Sequence, residues 1–437
     1  QADEGSGQTA LVEFVSANPT GPLTVGHGRQ AVLGDTVSSI LEWRGYEVTR
    51  EYYYNDAGRQ MRLLGESVYT RYREILGEEA ELPENGYEGE YIRDIAQEIF
   101  SDHNDSLKDD GENLIFKEKA EETIFAHIRK TLGNVGIEMD SYVNEKTFYD
   151  DGSIDSVVAD LREQGLAYDA DGAVWFKTTK LGKDQDTVLI KSSGEPTYRL
   201  PDIAYHCQKV KRGFDLIVDI FGTDHQATYP DVLAGVEKLG NKIDHIRVLI
   251  HQFVTLKSAG EKVKMSTRKA EYVTLQELIE SVGVDVVRYF FIMRGMQSHL
   301  NFDLELATKE SEENPVYYLQ YAHARICNII KFGKEAGVIS DHKLDLSLLV
   351  ELSELRLIKE IIRFPEVAQS ALEILEPQII ANYLQEVATS FHKFYTECRV
   401  ITDDAELTTA RLALVSATRV VLANGLTILG ISRPERM

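Results

Sequence analysis

The sequence predicts an α/β protein joined to an all-α domain: a Rossmann-like parallel sheet with a helical insertion, followed by a helical bundle. Three observations carry this. A glycine-rich loop at residues 19–29, PTGPLTVGHGR, links an apolar extended stretch at 11–15 to a run with helical spacing. Residues 215–221, DLIVDIF, are nearly all apolar, as a parallel strand covered on both faces requires. The last third of the chain shows only helical periodicity. At 437 residues with 43% apolar side chains, the chain is long enough to fill two or three cores.

The elements follow in order. Leu33, Val37, Ile40 and Leu41 mark the first helix, and Gly45 stands at its stop. The glycine loop therefore lies between a strand and a helix N-terminus, where free N–H groups and the positive end of the macrodipole favour an anion. Gly21, Gly26 and Gly28 predict room for a nucleotide against bare backbone, and His27 a donor for phosphate. Residues 47–54 read as the second strand, so 1–61 form the first half of a parallel α/β domain. Residues 62–143 read as an acidic helical insertion with a solvated surface.

From 144 to 313 the α/β pattern resumes, after hairpin-like strands within 175–190. The strand at 215–221 runs into Gly222-Thr223-Asp224-His225. Ligands of such sheets bind at the carboxyl ends of strands, so Asp224 and His225 are predicted to touch one. A helix ending near Gly240, a strand at 245–253 and a basic loop, GEKVKMSTRK at 260–269, come next. A helix with a Thr274/Glu277 capping box and a Gly283 stop follows that loop. Placed after a third parallel strand, the loop would fold over the same sheet edge, where Lys264 would neutralise charge on a triphosphate.

Residues 314–437 predict the helical domain. Asn314 is an N-cap and Pro315 the first helical residue. Val316, Leu319, Ala322, Ile326 and Ile330 form one buried stripe; Leu407, Ala410, Leu414, Ala417 and Val421 form another. Tyr317, Tyr321, His323 and Arg325 mix aromatics with a cation, which suits stacking on splayed RNA bases.

Charge and composition narrow the partners. The net charge is −24, yet residues 314–437 hold 13 Lys and Arg against 15 Asp and Glu, so nearly all the excess lies before them. A nucleic acid must then be met by local patches. No apolar run approaches the roughly 18 residues of a membrane span, and residues 1–10 lack the basic and apolar regions of a signal peptide. Cys207, Cys327 and Cys398 are too scattered for a disulfide framework or a zinc site, which predicts a reducing cytoplasm and no bound metal, and the lack of an apolar run predicts no membrane partner.

The 19–29 loop and the KMSTR segment more than 200 residues later resemble the paired HIGH and KMSKS signatures of class I aminoacyl-tRNA synthetases. The segments VEFVSANPTGPLTVGHGR, YRLPDIAYH, FGTDH, GEKVKMSTR and NPVYYLQYAHARICNI, with the ending PERM, are similar to arginyl-tRNA synthetases from about Leu11 to Met437. The resemblance implies an arginine–tRNA ligase with a Rossmann-like catalytic domain and a helical anticodon-binding domain. It implies that ATP, with Mg2+ as co-substrate and no protein-bound metal, activates L-arginine to arginyl-adenylate. The arginyl group then passes to the 3′-terminal adenosine of tRNA(Arg). It further implies a monomer.

The same resemblance assigns residues. His27, Lys264 and Ser266 would stabilise charge in catalysis, and Thr24, Gly26, His27, Asp224, His225, Lys264 and Met265 would bind ATP. Glu13, Ser16, Asn18, Glu145, Tyr198 and Asp202 would form the arginine pocket, because paired carboxylates match a guanidinium fork. Asp202 lies four residues after Tyr198 and would share a helical face with it. Tyr317, Tyr321, Arg325 and Met437 would contact tRNA. Two positions depart from the family pattern: Thr24 replaces the first histidine of HIGH, and Ala270 stands where glycine is usual. Thr24 alone supports an alternative, a catalytically weakened synthetase-like tRNA-binding protein, and an intact Lys264 and His27 weigh against it. Family members usually carry an additional N-terminal domain. With Gln1 only ten residues before the first motif, the chain is expected to lack it, as a truncated or processed form.

Overall fold

In the computed structural model, which describes residues 5–258, 261–262, 273–335 and 344–437, the chain opens with β1 (Thr9–Glu13), α1 (Val25–Trp43) and β2 (Glu47–Tyr54). Ala10, Leu11 and Val12 of β1 are all fully buried, so this strand is covered on both faces. A side chain at Gly34 would come within 2.1 Å of the Phe14 ring, so the glycine lets α1 lie directly on the end of β1. Gly45, at φ +97°, ends the helix and feeds β2.

Helices α2 (Gly58–Ile75), α3 (Glu90–His103) and α4 (Ile115–Asn134) come next. Their acids face outward, while Met61, Leu64, Tyr72, Ile95, Phe116 and Ile124 pack between them. The chain then returns to the sheet as β3 (Ser141–Asn144), beside β2. That four-residue strand lies at the end of the stretch expected to be helical, and its half-buried sequence SYVN gives no apolar run to mark it.

Beyond it are α5 (Lys146–Asp150), α6 (Ser153–Glu163) and an antiparallel sheet of β4 (Ala167–Ala170), β5 (Ala173–Phe176) and β6 (Thr187–Ile190). Then come α7 (Arg199–Lys211), β7 (Leu216–Gly222), a short turn of helix at Thr223–His225, α8 (Tyr229–Lys238) and β8 (Ile246–His251). The main sheet is parallel throughout, in the order β3-β2-β1-β7-β8. The chain runs outward from β1 in one direction and from β7 in the other, so the switch point lies between β1 and β7, where doubly wound sheets bind ligands.

The strand expected at 245–253 ends at His251. There the Gln252 N–H donates to Met296 O, and the chain leaves for a second sheet: β9 (Val254–Ser258) between β10 (Glu261–Lys262) and β11 (Leu300–Asp303). The basic loop therefore springs from this small sheet and not from a third parallel strand. Its Lys264, Met265 and Ser266, and Ala270 after it, lie outside the described residues. Helices α9 (Leu275–Val282), α10 (Val284–Ile292) and α11 (Leu304–Ala307) lead to α12 (Pro315–Glu335), α13 (Leu352–Ile362), α14 (Phe364–Ile374), α15 (Gln378–Glu397) and α16 (Ala405–Ile428).

The α12 stripe is buried from Val316 to Ile330, and the Asn314 side chain accepts from the Val316 N–H as a cap. The stripe expected on α16 is only partly buried: Ala410 and Leu414 are interior, Ala417 is exposed. The buried line runs instead through Thr408, Leu412, Val415, Thr418 and Leu422, because α16 is enclosed by α12, α13 and α15, and its threonine hydroxyls bond back to nearby backbone. Against the expectation that nothing approaches a membrane span, α16 is long and apolar enough to cross one by length and composition. Half of it is buried, and its interior Arg411 pairs with Glu354 at 2.7 Å, so it packs as a core helix.

Arg288 of α10 joins the parts. It is almost wholly buried, pairs with Asp35 of α1 at 2.6 Å, and donates to Val135 O after α4 and Leu429 O after α16.

Candidate active site

The glycine loop caps α1 with its own residues. The Thr24 hydroxyl accepts from the His27 N–H, and His27 Nδ1 accepts from the Thr24 N–H at 3.2 Å, a capping box with imidazole in the usual place of glutamate. This fixes the tautomer: the proton sits on Nε2. Burial pushes the His27 ring down to about 4, against the pull of Asp224, so it is a neutral donor. Thr24 also forms an isolated antiparallel bridge with Thr274, and the Leu275 N–H donates to Leu23 O at 2.8 Å. The helix that follows the basic loop is thereby tied to the glycine loop. Its expected capping box is present: Thr274 accepts from the Glu277 N–H at 3.1 Å.

The glycines divide their roles. A side chain at Gly26 would meet only Thr24 Oγ1, at 3.6 Å, and otherwise open space. Gly28, expected to make room for a nucleotide, instead faces inward, where an added Cβ would come within 2.6 Å of Leu275 and 3.0 Å of Phe291, both fully buried. Gly28→Ala is therefore expected to cost about 1–3 kcal/mol by overpacking; urea unfolding within error of wild type would contradict this.

Most residues expected to form an arginine pocket gather around the end of β1. The Ser16 N–H donates to Phe14 O at 3.0 Å with Val15 at φ +68°, a γ-turn of the rare positive-φ kind, strained at a β-branched residue. That turn lets Ser16 Oγ donate to Glu13 Oε1 at 2.8 Å and accept from the Tyr53 N–H. Asn18 holds the next stretch, accepting from the Asn55 N–H at 2.9 Å and donating to Gln60. Glu145 accepts from the Tyr53 hydroxyl at 2.9 Å and the Asn55 amide at 2.6 Å. Asp202 starts α7 and lines a small cleft with His206, Phe221, His225 and Thr228. Tyr198 stands at the helix cap with its ring 70% exposed, so it is at the rim and does not share the enclosed setting of Asp202.

Of the three acids, Asp202 is the one whose carboxylate has no hydrogen-bond partner among the described residues. Burial pushes it up to about 7; Glu13 and Glu145 add to the rise, and His206 and Lys209 oppose it. Glu13 is differently placed. Its second oxygen pairs with Lys209, a fully buried cation that also contacts Asp219 at 2.5 Å. His206 bridges Asp219, at 3.1 Å, and the carbonyl of Asp202, at 2.8 Å. Burial works against charge on Asp219, yet Lys209 and His206 hold its carboxyl well below the usual range.

At the far edge of the cleft, His225 stacks on Phe221 at 4.8 Å, while the Asp224 side chain is 71% exposed. His251 ends β8 opposite Gly222.

Sequence reasoning missed His206, Lys209, Asp219 and His251. The first two carried a signal: Asp202, His206 and Lys209 repeat at helical spacing, and a polar line on a helix that faces a sheet marks a site. Asp219 was hidden inside an apolar run, and a lone histidine at a strand end has no pattern.

In the helical domain, Tyr317 and Tyr321 stack nearly parallel at 6.2 Å, and Arg325 lies over Tyr321 at 5.0 Å and Tyr395 at 4.5 Å. Beside them Glu312, Tyr318, Arg325, His392, Lys393 and Thr396 line an open cleft of about 350 Å³. His323, expected to join this surface, is buried on another face of α12, where its ring bonds to Pro434 O at 3.0 Å and anchors the C-terminal tail. Met437 is half exposed at the end of that tail.

Comparison with known proteins is extensive. The family model "tRNA synthetases class I (R), catalytic domain" matches residues 1–287, and "DALR anticodon binding domain" matches 319–437. A Salinibacter ruber arginine–tRNA ligase is 52% identical over all of this chain and 81% of its own length. A Desulfotalea psychrophila arginine–tRNA ligase is 53% identical over 99% of this chain and 79% of its own. Among solved structures, a Campylobacter jejuni protein provisionally assigned as an arginyl-tRNA synthetase superposes with a TM-score of 0.90 at 33% identity, over 100% of this chain and 95% of the other.

Proposed function

The chain belongs to the arginyl-tRNA synthetase family of class I enzymes, and from that premise we propose how its residues divide the work of arginine–tRNA ligation. The ligase function itself follows from identity above half to curated ligases along the whole chain, which speaks against a weakened tRNA-binding relative. The reaction joins arginine to AMP, releases pyrophosphate, and transfers the arginyl group to tRNA, so ATP, arginine and tRNA are its substrates. Magnesium enters with ATP.

One observation carries the residue assignment: the half-buried carboxylate of Asp202 has no hydrogen-bond partner among the described residues, beside two acids that are already engaged. Asp202 receives the guanidinium, Glu145 and Tyr198 border it, and Glu13, Ser16 and Asn18 hold the wall. His27 donates from Nε2 to phosphate, and Gly26 leaves space over the α1 N-terminus. Asp224 and His225 border the nucleoside. Lys264, Met265 and Ser266 act on the triphosphate, a reading supported by the bridge that ties Thr274, in the helix after their loop, to Thr24. Tyr317, Tyr321, Arg325 and Met437 meet the anticodon arm of tRNA. The division into 1–61, 62–143, 144–313 and 314–437 belongs to the same proposal, as does a monomer in the cytoplasm.

The test is arginine-dependent ATP/pyrophosphate exchange with and without tRNA(Arg). Exchange is expected at least with tRNA; none in either case, with tRNA still bound, overturns the proposal. Because the Thr24 hydroxyl caps α1, Thr24→Ala is expected to lower stability by about 1 kcal/mol. Thr24→His, read in the same exchange assay, is expected to change KM for ATP and leave KM for arginine as it is.

A further inference from the structure

His251 is buried, 7% exposed, at the carboxyl end of β8, and the catalytic roles above make no use of it. Its Nδ1 lies 3.2 Å from Gln252 O, a carbonyl that Arg29 also engages at 2.7 Å. A carbonyl only accepts, so Nδ1 carries the proton and Nε2 is a bare lone pair. That Nε2 is buried and has no hydrogen-bond partner among the described residues. Such orphaned groups are rare in folded proteins and need a cause.

The surroundings suggest what it meets. His251 pairs in register with Gly222, the last residue of β7, and a side chain built on Gly222 would come within 4.0 Å of His251 Nε2 and 2.5 Å of Asp224 Oδ1. Bare backbone is thus flanked by two acceptors. The next residue adds a second orphan, the buried hydroxyl of Thr223. Burial pushes the His251 ring down to about 4, with Arg29 and His27 adding to the fall and Asp224 opposing it, so it stays neutral. A neutral lone pair beside a carboxylate repels phosphate and accepts from an amine or a hydroxyl.

We infer that His251 Nε2 is a specificity-determining acceptor for the nucleoside half of ATP, taking a hydrogen bond from the 6-amino group of adenine or a ribose hydroxyl. This rests on the reading of the strand ends as the ATP site. With the 6-amino group as donor, His251 would favour adenine over a purine that presents an acceptor at the same position, such as guanine.

The experiment compares wild type, His251→Leu, which removes the acceptor, and His251→Gln, whose Oε1 restores one. KM for ATP and for arginine is measured by pyrophosphate exchange with tRNA(Arg), using ATP, purine riboside triphosphate lacking the 6-amino group, 2′-deoxy-ATP and 3′-deoxy-ATP. His251→Leu is expected to raise KM for ATP roughly three- to tenfold, as loss of one neutral hydrogen bond should. KM for arginine stays unchanged, and His251→Gln recovers part of the loss. The penalty disappears with the one analogue that lacks the true donor, which tells amine from hydroxyl. Melting without ATP gives a second readout: His251→Leu should be about as stable as wild type, since it removes an unsatisfied buried atom along with the bond to Gln252 O, but gain less from added ATP. An equal penalty with every analogue, or a rise in KM for arginine as well, overturns the inference. Wild type inactive with ATP itself would instead defeat the ligase reading.

Discussion

Lys209→Met is expected to destabilise the catalytic domain by about 3–5 kcal/mol, the usual consequence of stripping the counter-ion from a buried charge. The Lys209 ammonium is wholly buried against Glu13 of β1 and Asp219 of β7, neighbouring strands of the main sheet. Removing it leaves two carboxylates facing each other without solvent. Charge, not volume, is the cause, since methionine fills nearly the same space. The double variant Lys209→Met with Asp219→Asn should recover part of the loss by removing one of the two stranded charges. Urea unfolding monitored by circular dichroism measures both. A single variant within about 1 kcal/mol of wild type would mean that water reaches this pair, and the packing described for α7 against the sheet would be wrong.

Asp202→Asn should reduce kcat/KM for arginine by about 100-fold or more, because truncating one side of a buried charged contact costs about 2–5 kcal/mol. KM for ATP should hardly move. The pH dependence is a sharper test. Burial pushes the Asp202 carboxyl up to about 7, and Glu13 and Glu145 reinforce it. Only the ionised form pairs with a guanidinium, so KM for arginine should fall as pH rises through about 7 and level off above it. Asp202→Asn should abolish that slope.

The stability linkage runs in the same window. A folded pKa above the unfolded value of about 4 means folding favours the protonated acid, so this group's stability contribution is present below about pH 4 and lost as pH rises through about 7. Bound arginine should offset part of that loss. A flat KM for wild type between about pH 6 and pH 8 would remove Asp202 from the role of guanidinium acceptor.

Much of the frame was legible beforehand because local chemistry dictates it. The glycine loop, β2 at Glu47–Tyr54, the stop at Gly45 and the Thr274/Glu277 capping box each depend on residues within one or two turns of each other. The stripe on α12 is as readable, since one face of that helix meets the core. α16 defeats the same rule: it packs against three neighbouring helices, and its buried Thr408 and Thr418 satisfy their hydroxyls on nearby backbone carbonyls, so polarity no longer marks the outside.

Turns, caps and periodicity are short-range and motifs recur as strings, so the fold class and the family are legible in the chain alone, whereas β3 and the β9–β11 sheet are not. What each side chain in these segments is free to do emerges only once the chain is folded. Glu13 and Asp202 look alike as letters. Lys209, 196 positions along the chain, occupies the first, while no described side chain answers the second. Thr24 and Gly28 stand inside a phosphate-loop signature, yet one caps a helix and the other makes room for Leu275 and Phe291. Those outcomes depend on burial and on partners brought together from distant strands and helices, and a linear string does not carry that information.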